Sequence, residues 1–230
     1  MRILAIETID KTGSVAALES GRLLAEKSLD PTRRSAQTLV PAIQQLLIEL
    51  GWRPADVQLV AVATGPGSFA GLRIGVTTAK TFAYATGSQV LGIHTMLAIG
   101  WQVPPEIERF SAVVNAQRGE FFVADMVRVG RTALTGDQTT RILTADTWLA
   151  SLPTGSHVTG PGLVKWTGPL PEGVSAIARE LWQPSAAAVG QLGHLAFESG
   201  QRSELLALAP QYFRRTAAEE QWDRRQATSE

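Results

Sequence analysis

GPGSFAGLRIG, residues 65–75, packs four glycines and a proline into eleven residues. The apolar run VQLVAVAT (57–64) comes before it and a helical pattern from Leu72 to Thr86 follows, stopped by Gly87. The order is strand, glycine loop, helix. Such a loop places free backbone N–H groups at the positive end of a helix dipole, and glycine lets a ligand approach closely. An anion is the usual guest of that arrangement. No Gly-Lys-Ser/Thr closes the loop, and its spacing is not GxGxxG. On chemistry alone a structural turn is the better reading, with Ser68 capping the helix.

Outward from the loop, the helical pattern has more than one face. Leu72, Val76, Ala79 and Ala83 form a core stripe, with Phe82 at its edge. Ile74, Thr78, Thr81 and Ala85 form a second small or apolar face, and Arg73, Lys80 and Tyr84 a polar strip between them. A second helix is predicted over 36–50, where Leu39, Ile43, Leu46 and Leu50 recur at helical spacing and Gly51 ends the pattern. Val40 and Leu47 widen its apolar stripe beyond one core face. Periodicity leaves two readings open: both helices lie centrally in one domain, or together they form an interface with another subunit.

The rest of the first half reads as strands. RILAIET (2–8) suggests a buried strand, SVAALES its antiparallel partner, GRLLAEKSL a third strand and QVLGI (89–93) a short one. The second half repeats the order. FSAVVNA (110–116) and EFFVADMVRV (120–129) read as a hairpin, 145–152 as a helix, HVTGPG (157–162) as a strand with a second TGPG, and 185–200 as a helix. The repeated order points to an internal duplication, with a break near VPPEIE (103–108). The expected domains are 1–107, 108–214 and a polar tail, 215–230.

Composition bounds the function. Of 230 residues, 44% are hydrophobic and 18% charged, and 21 Lys plus Arg balance 21 Asp plus Glu. A neutral chain argues against broad nucleic-acid binding, leaving Arg33, Arg34, Arg214 and Arg215 as local basic spots. The absence of cysteine removes thiolate and zinc-thiolate chemistry and suits a reducing cytoplasm. No apolar run is long enough to cross a bilayer, so the expectation is a cytoplasmic protein without a membrane partner.

Catalytic readings find few residues. A kinase-like site needs carboxylates at strand ends to hold magnesium. Glu7 ends the first strand, but its symmetric position is Asn115, an amide. Glu7 reads as a capping or partner-facing acid rather than a metal ligand. His94, His157 and His194 are scattered, without the spacing of a metal site, and Ser68 lies in no GxSxG elbow. No catalytic residue and no metal site is expected.

ILAIET, SVAAL, GPGSFAGLRIGVTTAK, NAQRGEFF and PQYFRR, taken in order from residue 3 to about 214, resemble the TsaB (YeaZ) family, accessory proteins of bacterial tRNA threonylcarbamoyladenosine biosynthesis. The resemblance implies an α/β fold of two RNase H-like lobes of the actin and sugar-kinase type, with mixed sheets flanked by helices. It implies a non-catalytic subunit that dimerises with a larger catalytic paralogue, TsaD. That paralogue modifies the adenosine beside the anticodon in tRNAs reading codons that begin with A. A TsaE-like ATPase binds the pair, and tRNA is met only through the complex. The two helices match the family's pairing surface, which also makes a homodimer in isolation. Val40, Leu47, Ile74, Thr78, Thr81 and Ala85 are then the interface candidates. Gly65, Pro66, Gly67, Ser68 and Phe69 are the candidate nucleotide or anion loop. No tightly bound cofactor is expected, with ATP or ADP at a shared interface as the candidate ligand. The alternative is a nucleotide-hydrolysing enzyme of the same fold. The chain departs from the family pattern at Glu7 (usually Asp), Ser35 (often His), Ala70 (usually Thr), and Asn115 and Gln117 (commonly Asp and Arg). These positions bear on polar contacts and leave the glycine framework untouched.

Overall fold

The computed structural model describes residues 1–10, 12–129, 133–135 and 140–214. Arg215 and the expected tail lie outside them. The first half folds as β1 (Arg2–Glu7), β2 (Ser14–Glu19), β3 (Arg22–Ser28), α1 (Ser35–Glu49), β4 (Leu59–Gly65), α2 (Phe69–Thr86) and β5 (Gln89–His94). These strands make one sheet of order β3-β2-β1-β4-β5. β1 pairs antiparallel with β2 and parallel with β4, and β4 is parallel to β5.

After α3 (Thr95–Trp101) the pattern recurs: β6 (Arg109–Gln117), β7 (Glu120–Val129), β8 (Ala133–Thr135), β9 (Arg141–Thr144), α4 (Ala145–Ser151), β10 (His157–Thr159) and β11 (Ser175–Ala176). The second sheet runs β11-β10-β6-β7-β8, with β9 also on β7. β6 and β7 are antiparallel, while β10 is parallel to both β6 and β11. Both lobes therefore share one strand order and one set of directions. This is the two-lobed RNase H-like fold.

Alternation builds the first lobe's two-sided core. Side chains of a strand point to opposite faces in turn. Leu4, Ile6, Val60 and Val62 join α1 and α2 on one face, whereas Ile3, Ala5, Leu59 and Ala61 face the other way. That second face is covered by α5 (Ala186–Glu198). The helix over 185–200, read with the second half, packs on the first sheet instead, so residues 108–214 do not form one continuous lobe. The reason is shape: a Cβ at Gly190 would lie 2.2 Å from Leu18, and one at Gly193 2.6 Å from Ala61. Only a helix with glycines there sits so low on this sheet. Its N-terminus is held by Ser14 Oγ, which accepts from the Ala186 N–H at 2.8 Å, and by Glu26, which accepts from Ala187 at 3.1 Å.

Further differences concern short elements, among them β8, β9 and β11, where no strand was read from the sequence. α3 was not expected, because TMLAIGW is apolar on nearly every side and too short to show a period. The second TGPG leads into a 3-10 turn, Pro161–Lys165, whereas the first leads into α2.

Candidate functional site: a helical groove and an interlobe cleft

The glycines of the opening loop serve the chain's own backbone. A Cβ at Gly67 would lie 2.6 Å from Ile9 Cβ, one at Gly71 1.9 Å from the Thr8 carbonyl oxygen, and one at Gly75 2.3 Å from Thr8 Oγ1. The turn after β1 thus presses along α2 where a ligand would otherwise approach. The Thr8 hydroxyl donates to the Gly71 carbonyl at 2.8 Å, and Ser68 N–H donates to the Ile9 carbonyl at 2.9 Å. Ser68 Oγ caps α2 by accepting from Gly71 N–H. Gly65 lies under the Gln211 carbonyl. Pro66, Gly67 and Phe69 line a cleft of about 280 Å³ between the lobes, facing Asn115 and Gln117.

Glu7 is 2% exposed, and burial pushes its carboxyl up to about 8, with Asp10 and Glu26 adding to the rise. The backbone N–H of Ile9 donates to it at 2.5 Å. Burial thus favours the neutral form of this carboxyl. Asn115, at the end of β6, copies its turn: Asn115 Oδ1 accepts from Gln117 N–H at 2.6 Å. An amide and a protonated acid are near equivalents in this role. Of the other departures from the family pattern, Ala70 is exposed in the first turn of α2 and Ser35 is half-buried at the start of α1. Among the described residues, no three His, Asp or Glu side chains gather as metal ligands.

The second feature is a groove of about 620 Å³ between α1 and α2. It is lined by Val40, Leu47, Thr78, Thr81 and Ala85, with Ile48 and Trp52 beside them. Val40 is 58% and Ile48 67% exposed, so the rim is apolar and open to solvent. Two candidate residues are placed differently from their expectation. Leu47 is buried in the core and reaches only the groove floor, and Ile74 packs against the core cluster outside the groove. Ile48 was missed, because Leu39, Ile43, Leu46 and Leu50 already fill the core stripe of this helix.

Spacing also gave no place to the segment 205–214, which carries no periodicity of its own, although PQYFRR within it belongs to the family resemblance. It docks on the polar strip of α2. Lys80 Nζ donates to the carbonyls of Leu206 and Leu208, each at 2.9 Å. Arg73 Nε donates to the Tyr212 hydroxyl at 2.9 Å, and Tyr212 stacks on Phe69 with centroids 4.5 Å apart. Gln211 N–H donates to the Thr64 carbonyl. Arg214 then crosses to the second lobe, pairing with Glu120 and donating to the Ala116 carbonyl.

The TsaB of Escherichia coli (strain K12), named a tRNA threonylcarbamoyladenosine biosynthesis protein, is 32% identical over 146 residues, 62% of each chain. The protein of the same name from Bacillus subtilis (strain 168) is 34% identical over 125 residues, 53% of each. YeaZ from Pseudomonas aeruginosa superposes with a TM-score of 0.77, covering 92% of this chain and 99% of that one at 24% identity. Residues 23–153, more than half of the chain, match the family model described as TsaD: tRNA N6-adenosine threonylcarbamoyltransferase. The chain belongs to the TsaB (YeaZ) family. Its alignments span less than two thirds of the length of the two curated TsaB relatives. The α1–α2 groove lies on the first lobe and the glycine-loop cleft between the lobes, with no lining residue in common.

Proposed function

We propose that this chain is a non-catalytic accessory subunit in the formation of threonylcarbamoyladenosine in tRNA. The observation that supports it is the solvent-open apolar groove on α1 and α2, rimmed by Val40 and Ile48. Exposed apolar surface of this kind on paired helices suits a protein partner. The partner we propose is a larger, TsaD-like paralogue that performs the transfer to the adenosine beside the anticodon in tRNAs reading codons that begin with A. A TsaE-like ATPase joins the pair, tRNA is met through the complex, and the same face forms a homodimer when the chain is alone. ATP or ADP sits at a shared interface, and no cofactor is bound tightly. The proposed place of action is the cytoplasm, and no helix among the described residues is long and apolar enough to cross a membrane.

The test is mass spectrometry of what co-purifies with the tagged chain from its own cells. A larger sugar-kinase-like paralogue in near-equal amount is expected. Recovery of the chain alone would overturn the reading. One observation favours a second reading, nucleotide hydrolysis: the glycine loop does line a cleft between the lobes. ATP turnover by the purified chain, lost in Glu7→Gln, would support it. Glu7 is buried and does not line that cleft, which weighs against it.

A further inference from the structure

The segment 205–214 joins three parts of the molecule in series. Leu208 is buried in the α2-side core and sits close to β5, where a Cβ at Gly92 would come within 2.9 Å of it. The next residues hold α2 and the glycine loop through Gln211 and Tyr212. Phe213 then meets Phe122 with centroids 6.1 Å apart, and Arg214 holds the β6–β7 hairpin. Tyr212, Phe213 and Arg214 line the cleft together with residues of both lobes. We propose that residues 205–214 are a latch across this cleft, coupling the outer strip of α2 to the closure of the two lobes.

The energetics suit a latch. Its links are hydrogen bonds, one partly exposed ion pair and the ring contacts of Tyr212 and Phe213, each weak by itself. Leu208 alone among residues 205–214 is buried. Segments with few buried contacts open well below the cost of global unfolding. Lys80 gives the coupling its direction. It lies on α2, in the first lobe, yet its ammonium secures the segment whose end grips the second lobe. The latch needs no partner protein, so it stands or falls separately from the accessory-subunit reading.

The chain has no cysteine, so a label pair is easily placed. Ser28→Cys and Ala150→Cys, both exposed, put one nitroxide on each lobe. Double electron–electron resonance then gives the interlobe distance distribution. Arg214→Ala and Glu120→Ala are expected to broaden it and lengthen its mean. Lys80→Met is expected to do the same, and Lys80→Arg to restore the narrow distribution. A thermal melt by circular dichroism checks that each variant is folded, and Tyr212→Phe, which removes only a hydroxyl, replaces any that is not. The latch is overturned if Lys80→Met leaves the distribution unchanged, whatever Arg214→Ala does, because the hairpin contact would then be local.

Discussion

Glu7 shows how burial sets the role of a single group. Its folded pKa, about 8, lies above that of an unfolded glutamate, near 4.5. Between those values the native chain holds a proton that the unfolded chain has released. Stability therefore falls as pH rises through this window, by up to about 1.4 kcal/mol per pH unit. Glu7→Gln stays neutral in both states, so it should flatten the pH dependence and melt higher than the parent at pH 8. Urea unfolding at pH 5, 6.5 and 8 checks this, and equal slopes in the two proteins would refute it. The glycines give a second prediction. The Cβ of Gly71→Ala would lie 1.9 Å from a backbone carbonyl oxygen, which cannot yield cheaply. A loss of about 3 kcal/mol is expected. Gly87→Ala meets nothing within 4 Å and bears only the strain of its φ of +73°. It should lose about 1 kcal/mol, and equal losses in the two variants would mean that the close approach of Thr8 is not rigid.

α2 is the element on which most of the molecule converges. One side receives the turn after β1, a second enters the core, a third forms the groove with α1, and the Arg73–Lys80 strip holds the latch. This use of every side explains a helix whose apolar pattern exceeds a single core stripe. Thr78 is half-buried on the groove wall, so a charge there meets a docking surface rather than the core. Thr78→Glu should abolish pairing with the co-purifying paralogue, and homodimer formation too, while circular dichroism stays native. Size-exclusion chromatography of chain and partner reads the result. Undiminished pairing by a folded variant would remove the groove from the interface.

In the molecule as a whole, the two lobes repeat one topology but meet different demands. The first lobe is covered on both faces, by α1 and α2 and by α5, while α5 comes from the far end of the chain. Deleting residues 205–230 should thus do more than trim a terminus. It exposes Leu208's site in the α2-side core and frees the cleft. The truncated chain should melt lower by several degrees, with native-like secondary structure retained, because α5 ends before the cut. Differential scanning calorimetry measures it, and an unchanged melting temperature would show that the segment adds no stability.

The longer strands, the helices around the glycine loop and the doubled order of elements were legible along the chain, whereas the short β8, β9 and β11 were not. Alternation and helical spacing act within about a dozen residues, and turn glycines mark where they stop. The loop's lack of a phosphate signature was equally plain, and so was the small second face of α2. The seat of α5, the fate of the polar strip and the burial of Glu7 were not. Each depends on partners far apart: Arg73 meets Tyr212 across 139 positions, and Lys80 meets Leu208 across 128. Local pattern records which side of an element is apolar, but not which surface covers it. That choice is made when distant segments compete for the same face, and here close glycine packing and a few long-range hydrogen bonds decided it.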